Sequence, residues 1–237
     1  MGRSALWTAI RDTLLTEITN GHYPPGARLP TEAQLSDRFN VNRHTVRRAL
    51  AALADSEIVH ARRGAGVFVR HVPTPYPIGR RVRFHQNIQA AGHIPEKRVL
   101  NLETRLANVH ERKALKLGAQ AKVHIYEGVS ISDNVPLAFF CSAFPAGRFP
   151  DMLEALAENG SVTAAFRRHG VTDYVRQSTE ITGKIASQIH ASLLELRPGD
   201  PILRTIGINV DAFERPIELG RTWFAADRVT LTLSETG

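Results

Sequence analysis

Five side chains within one short stretch of the first third of the chain are well suited to bind a polyanion. They are those of Arg43, His44, Thr45, Arg47 and Arg48. Arg43 and Arg47 are four residues apart, so on a helix they share one face, and His44 and Arg48 share the adjacent face. A guanidinium can donate two parallel hydrogen bonds to the edge of a guanine, and Thr or His can reach bases or phosphates. This spacing therefore predicts a surface that binds nucleic acid.

A second basic group and the distribution of charge point to the same part of the chain. Arg62, Arg63 and Gly64 fall at the predicted tip of a hairpin, where the glycine leaves room for a sugar-phosphate backbone. Residues 1–82 contain 12 Arg and no Lys against 6 acidic residues, whereas residues 83–237 contain 18 basic and 17 acidic residues. A basic segment attached to a nearly neutral one suggests a module that binds a polyanion, joined to a separate body.

Three helices and a hairpin are predicted to hold these residues in place. Apolar residues that recur every four positions predict a first helix that ends near Gly21. Thr31 and Asn42 are typical N-caps, and each precedes a segment with helical apolar spacing. Two strands are expected at residues 58–61 and 67–69. Three helices with a tight turn between the second and the third, followed by a hairpin, predict a winged helix-turn-helix.

Three strings in this part of the chain resemble the GntR family of bacterial transcription regulators. They are PPGARLPTE, VNRHTVRRAL and RGAGVFV, at residues 24–32, 41–50 and 63–69. The resemblance implies that Arg43, Thr45, Arg47 and Gly64 contact double-stranded operator DNA. Many members carry an Arg at the position of Ala33, so one contact of the family is missing here.

The remaining two thirds of the chain predict a second domain of a different kind. Residues 73–82 contain three closely spaced prolines and no periodicity, which predicts an extended linker. It would join a winged helix-turn-helix domain over residues 1–72 to a domain over residues 83–237. In the latter, two hairpins alternate with short helices, so we expect an antiparallel sheet with helices. The predicted fold class is therefore α+β.

Composition restricts the setting in which the chain works. Cys141 is the only cysteine, which excludes a disulfide scaffold and a cysteine zinc cluster and fits a reducing cytoplasm. No apolar run approaches the roughly 20 residues of a membrane helix, and the N-terminus shows no signal peptide. Composition therefore predicts a protein of the cytoplasm that has no membrane partner, and the resemblance to GntR regulators implies a bacterial protein associated with the nucleoid.

Four motifs in the second domain resemble the UTRA effector-binding domain of the HutC subfamily, which is related in fold to chorismate lyase. They are LG, DNVPL, GDPIL and RPIE, at residues 117–118, 133–137, 199–203 and 215–218. Within that subfamily, NRHT at residues 42–45 and RFHQN at residues 83–87 resemble the PhnF group, which regulates phosphonate uptake and degradation. The resemblance implies a homodimer that reads two half-sites of an operator and responds to a small molecule.

A pocket for the small molecule is predicted at the start of the first helix of the second domain. Arg83, Phe84 and His85 begin that helix. Free backbone N–H groups and the helix dipole favour an anion there, Arg83 adds charge, and His85 can donate a hydrogen bond. The sequence therefore predicts an anionic effector near these three residues.

The resemblance adds three residues to the pocket and restricts its ligand. In similar regulators a Ser at the position of Ser161 helps to hold a phosphate or carboxylate, and residues matching Glu218 and Phe224 line the pocket. Relatives that bind sugar phosphates carry Arg where this chain has Gly128 and Ser130. A phosphonate, a phosphate ester or phosphate itself is therefore expected rather than a sugar phosphate.

The sequence also bears on catalytic and metal-binding functions. The six histidines of the second domain are scattered without metal-ligand spacing, and the sequence has no phosphate-binding Gly-rich loop and no nucleophile elbow. We therefore expect neither an enzyme nor a metal or other cofactor. Three alternatives stay open: a regulator that responds to a sugar phosphate or an amino-acid catabolite, a lyase-like enzyme domain fused to a DNA-binding module, and an architectural DNA-binding protein.

Overall fold

The computed structural model describes residues 3–62, 64–70, 73–81, 84–90, 92 and 94–233. The chain divides into two units, Met1–Val72 and Pro73–Gly237. No described helix has both the length and the apolar character that crossing a membrane requires.

The first unit contains three helices and a two-stranded antiparallel sheet. These are α1 (Arg3–Thr19), α2 (Glu32–Phe39), α3 (Arg43–Asp55), β1 (Val59–Arg62) and β2 (Gly66–Val69). Their apolar faces meet in one core, which includes Leu14, Leu35, Val46, Leu53 and Val69. The predicted winged helix-turn-helix is confirmed.

Two caps and one left-handed residue determine the turn between α2 and α3. The Thr31 side chain accepts a hydrogen bond from the backbone N–H of Gln34, whose side chain accepts one from the Thr31 N–H. Asn40, with a φ of 49°, ends α2, and the Asn42 side chain accepts from the Thr45 N–H to begin α3. Each contact satisfies a backbone N–H that a helix terminus leaves without a partner. The start of α3 is therefore determined by its local sequence.

The second unit is built on a six-stranded antiparallel sheet. Its elements are β3 (Thr74–Pro77), α4 (Phe84–Ala90), β4 (Pro95–Leu106), α5 (Val109–Leu115), β5 (Lys122–Ser132), β6 (Val135–Pro145), α6 (Met152–Asn159), α7 (Val162–Arg168), β7 (Tyr174–Ile185), α8 (Gln188–Leu194), β8 (Pro201–Asp211), β9 (Pro216–Ala225) and β10 (Val229–Thr232). The strand order is β4-β5-β6-β9-β8-β7, so β4 and β7 form its two edges. The predicted α+β domain with an antiparallel sheet is confirmed.

The two faces of this sheet are covered by different helices. Successive residues of a strand point to opposite faces. On β5, Ile125 shares a buried cluster with Leu115 of α5, whereas Tyr126 shares one with Phe166 of α7. Helices α5 and α8 therefore cover one face, and α4, α6 and α7 cover the other.

Part of the predicted linker is a strand of the second unit. Residues Thr74–Pro77 form β3, which pairs in parallel with β10. The backbone N–H groups of Thr74 and Ile78 donate hydrogen bonds of 2.8 and 2.9 Å toward the β10 segment. Pro75 and Pro77 occupy alternate positions that need no donor, so these residues are compatible with a strand despite their missing N–H. These four residues are extended, as expected, but they belong to the second unit and not to a linker.

Candidate nucleic-acid interface and ligand pocket

Helix α3 buries one face in the core and exposes its basic residues at its N-terminal half. The exposed side chains there are those of Arg43, His44, Arg47 and Arg48. Thr45 is half-buried, and its hydroxyl donates a hydrogen bond of 3.0 Å to the Asn42 side chain. In helix-turn-helix proteins this end of the second helix of the motif enters the major groove. The exposed basic side chains therefore lie at the end of α3 that enters the groove in such proteins, and their DNA contacts stay predictions.

Arg47 is held by an ion pair with Glu32, the first residue of α2. The Nε and Nη2 atoms of Arg47 donate to the two carboxylate oxygens of Glu32 at 3.0 and 2.7 Å. This hydrogen bonding is the main reason why the pKa of Glu32 lies below its ordinary value. A guanidinium has five N–H donors, and three remain for a base or a phosphate. The pair therefore orients Arg47 and leaves it able to bind DNA.

The other arginines of the first unit fall into two groups. Three of them pair with carboxylates of the same unit: Arg11, Arg38 and Arg70. Among the side chains that the structure describes there, Arg28, Arg43 and Arg48 have no carboxylate partner. The Arg48 guanidinium lies over the Trp7 ring, 4.7 Å from its centroid. Arg43 is therefore the cation of α3 that is least engaged by the protein itself.

The tip of the hairpin has room for a close approach. Gly64 has a φ of +73°, which favours glycine, and no atom lies within 4 Å of the position that a Cβ would take. At Gly66 the same position is 2.8 Å from the Nε atom of Arg28, so the Arg28 side chain lies directly over this glycine. Arg63 and the side chain of Arg62 lie outside the described residues, and their contacts stay predictions.

A cavity of about 340 Å³ lies on the face of the second unit's sheet that α4 and α7 cover. Alternate residues of the central strands line its floor, among them Ser130, Ala138, Phe140, Ser142, Glu218, Thr222 and Phe224. Tyr76 of β3 also lines it and is only 5% exposed. The volume is within the range of small-molecule sites. Among the described residues, no group of His, Cys, Asp or Glu side chains could hold a metal ion.

A buried carboxylate is held by neutral donors at the floor of this cavity. Glu218 is 9% exposed, and its two oxygens accept hydrogen bonds from the Ser142 hydroxyl at 2.7 Å and the Asn209 amide at 2.6 Å. The side-chain amide oxygen of Asn209 in turn accepts a hydrogen bond of 2.7 Å from the Arg176 Nε. The guanidinium of Arg176 lies over Gly207, where any Cβ would overlap it. The network therefore fixes a cation over β8, on the cavity side of the sheet.

Lys97 of β4 contributes a second cation to the same cavity. Its Nζ atom donates to the Gly160 carbonyl at 3.3 Å. It also lies 5.5 and 5.2 Å from the ring centroids of Tyr126 and Phe140. Burial lowers the pKa of Lys97 to about 8, and the nearby negative charge of Glu218 partly opposes that shift. The ammonium is thus partly removed from water, and its protein partners are weak.

Four of the six residues predicted for the ligand pocket line the cavity: Phe84, Ser161, Glu218 and Phe224. Ser161 is the N-cap of α7, and its Oγ accepts a hydrogen bond of 3.2 Å from the Ala164 N–H. Arg83 and the side chain of His85 lie outside the described residues. The anion site expected at residues 83–85 therefore stays a prediction.

The sequence reasoning missed Lys97, Arg176 and Asn209. Alternation along each strand could have placed them on one face, but only the strand order brings the two edge strands around one cavity.

The absence of an Arg at Gly128 also has a physical reason. A Cβ there would lie 2.8 Å from the Phe140 ring, so that ring takes the space that a longer side chain would need.

Two family models match the chain, one for each unit. The model of bacterial regulatory proteins of the gntR family matches residues 6–69, and the model of the UTRA domain matches residues 90–230. The chain is 41% identical to an HTH-type transcriptional regulator of Rhizobium meliloti (strain 1021), over 97% of this chain and 94% of that protein. It is 30% identical to the "probable transcriptional regulator PhnF" of Escherichia coli (strain K12), over 90% of this chain and 88% of that protein.

A solved structure shows the same fold. The crystal structure of PhnF from Mycobacterium smegmatis matches with a TM-score of 0.67 at 24% identity, over 96% of this chain and 99% of that one. At that identity the match supports the fold alone. The winged helix with its exposed arginines, the cavity on the antiparallel sheet and both family models agree: the chain belongs to the GntR family of bacterial transcription regulators and carries a UTRA domain.

Proposed function

We propose that this regulator is a homodimeric repressor of genes for phosphonate uptake and degradation. A small anionic effector, namely a phosphonate, a phosphate ester or phosphate, would bind in the cavity of the second unit and release the operator DNA. The observation that carries this proposal is the charge of the cavity. Among the residues that the structure describes, Lys97, Arg167 and Arg176 line it against one carboxylate, that of Glu218, so its walls favour an anion.

The likeness to PhnF supports the phosphonate pathway. The chain resembles the PhnF group in its motifs and is 30% identical to the PhnF of Escherichia coli. A second candidate is a repressor that responds to a sugar derivative, because another relative is named for a fructoselysine operon. Phe140 fills the space beside Gly128, which leaves less room for a bulky sugar phosphate.

A path from the effector to the DNA-binding unit follows from the chain order. The first unit ends at Val72, and β3 begins at Thr74. Tyr76 of β3 lines the cavity. A ligand in contact with Tyr76 would therefore favour one conformation of the segment that joins β3 to the winged helix. Two winged helices read two half-sites only at a defined spacing. An effector that favours another spacing would therefore weaken operator binding.

Operator release tests this proposal. A DNA fragment from upstream of the regulated genes is titrated with the protein at fixed salt, with and without ethylphosphonate, phosphate or glucosamine 6-phosphate. We expect the phosphonate to weaken operator binding about 5- to 150-fold, and the operator to weaken phosphonate binding by the same factor. Release by glucosamine 6-phosphate alone would favour the second candidate. Failure to bind any fragment from that region would refute the proposed function.

A further inference from the structure

We infer that the effector carries two separate anionic groups, one bound by Lys97 and the other by Arg176. The inference rests on the proposed function, because it names the class of ligand for the same cavity. It goes further by predicting an elongated molecule with a negative charge at each end.

Of the three cations that line the cavity, Arg167 is exposed on α7, whereas Lys97 and Arg176 come from the two edge strands of the sheet. Lys97 and Arg176 are too far apart for one anionic group to contact both. The ammonium of Lys97 lies beside rings carried by β5 and β6, whereas the guanidinium of Arg176 lies over β8. In the order β5-β6-β9-β8 these positions are two to three strand spacings apart, or about 10–14 Å at about 4.8 Å each. Charge-assisted hydrogen bonds are about 2.7–2.9 Å long. Two anionic groups about 4–8 Å apart would therefore satisfy both cations.

Neither cation is neutralised by the protein. Among the described residues, the Lys97 ammonium makes its hydrogen bond to the Gly160 carbonyl, and the Arg176 guanidinium makes its own to the Asn209 amide oxygen. Neither of them forms an ion pair in that part of the chain. Because burial opposes the charged form of Lys97, an anion beside it would recover part of the lost hydration. The two ends of the cavity thus each need a negative group.

The middle of the cavity has the opposite charge. Glu218 stands on β9, between the positions of the two cations. Its oxygens are bound by the neutral donors of Ser142 and Asn209, so its negative charge is not cancelled by a contact. An anionic group centred over Glu218 would be repelled, whereas groups at the two ends would be attracted. The charge pattern therefore favours a two-ended ligand over a compact one.

Titration calorimetry with the full-length protein tests this inference. The two-ended probes are the ω-phosphonocarboxylates from 3-phosphonopropionate to 6-phosphonohexanoate, and the one-ended probes are alkylphosphonates of matched chain length. We expect the best phosphonocarboxylate to bind about ten-fold or more tightly than its one-ended partner. The second anionic group adds a charge-assisted hydrogen bond, and one such bond contributes about this much to the affinity. Equal affinities within every matched pair, or no binding of any two-ended probe, would overturn the inference.

Charge-removing variants locate the two ends. Lys97→Met and Arg176→Met should each abolish the advantage of the two-ended probe, and Arg176→Lys should keep part of it. Arg98→Met and Lys184→Met remove a charge from exposed positions of the same two strands, outside the cavity lining, and should change nothing. Thermal unfolding of each variant shows that it is folded. An advantage that survives both Lys97→Met and Arg176→Met would refute the assignment of the two ends.

The same samples separate this inference from the proposed function. Operator binding without any probe is measured for the wild type and for each variant. If alkylphosphonates release the operator as well as the two-ended probes do, the inference is wrong while the proposed function stands. If the wild type does not bind the operator even without a probe, the proposed function is refuted, whatever the calorimetry shows for the two-ended probes.

Discussion

The pair of Arg47 and Glu32 gives a quantitative test of the DNA interface. Both side chains are substantially exposed, with 62% of the Arg47 and 35% of the Glu32 side chain accessible, so the pair contributes little to folding. Two of the five guanidinium donors point at Glu32, which leaves a fork that can bind a guanine. Arg47→Ala should therefore weaken specific operator binding about 5- to 150-fold and leave the unfolding temperature unchanged.

A double-mutant cycle then shows whether Glu32 acts through Arg47. Glu32→Gln alone should lower the ratio of specific to random DNA binding, because Arg47 loses its orientation while one negative charge near the DNA is removed. In the Arg47→Ala background, Glu32→Gln should cause no further loss of specific binding. Mobility-shift titrations at fixed salt measure all four proteins on operator and on random DNA.

Two results would refute this reasoning. Wild-type operator affinity in Arg47→Ala would show that α3 does not read the operator through this residue. Equal losses from Glu32→Gln in both backgrounds would show that Glu32 contacts the DNA itself. Arg38→Ala is the matched control, since Arg38 forms a comparable ion pair with Glu17 outside α3.

Three further outcomes are expected. Gly207→Ala should displace the Arg176 guanidinium and weaken binding of two-ended probes about ten-fold or more in calorimetry, whereas Gly220→Ala, whose Cβ has no atom closer than 3.6 Å, should not. Affinity for anionic probes should fall as the pH rises from 7 to 9, because Lys97, with a pKa of about 8, loses its charge, and Lys97→Met should remove this dependence. Burial alone would raise the pKa of Asp211, but hydrogen bonds from two arginines and the backbone lower it to about 2, so its contribution to stability is present above about pH 4 and lost toward pH 2. Asp211→Asn should therefore lower the free energy of unfolding by about 1–3 kcal/mol at pH 6 and by less at pH 3, measured by urea titration.

Local signals in the sequence predicted the elements but not their arrangement. The caps at Thr31 and Asn42 and the alternation along β5 depend on neighbouring residues, so the helices and hairpins were predicted close to their observed positions. The pairing of β3 with β10 joins residues about 150 positions apart and leaves no local trace. The prolines of β3 are also typical of a linker, so the sequence does not predict a strand there.

The candidate ligand site shows the same division. Ser161, Glu218 and Phe224 are expected in the pocket from the resemblance and Phe84 from the predicted helix start, and all four line the cavity. Lys97 and Arg176 belong to no motif and stand on opposite edges of the sheet. Their convergence depends on the order of all six strands, which hydrophobic periodicity does not determine. The charge of the site was therefore underestimated from the sequence.

The parallel pairing of β3 with β10 has a consequence for how the protein is made on the ribosome. The winged-helix unit is complete at residue 72 and can fold as soon as it emerges, whereas β3 must wait for residues 229–232 before it can pair. A chain cut short before residue 229 would keep every residue of the winged-helix unit but would leave β3, the strand beside the cavity, without its partner.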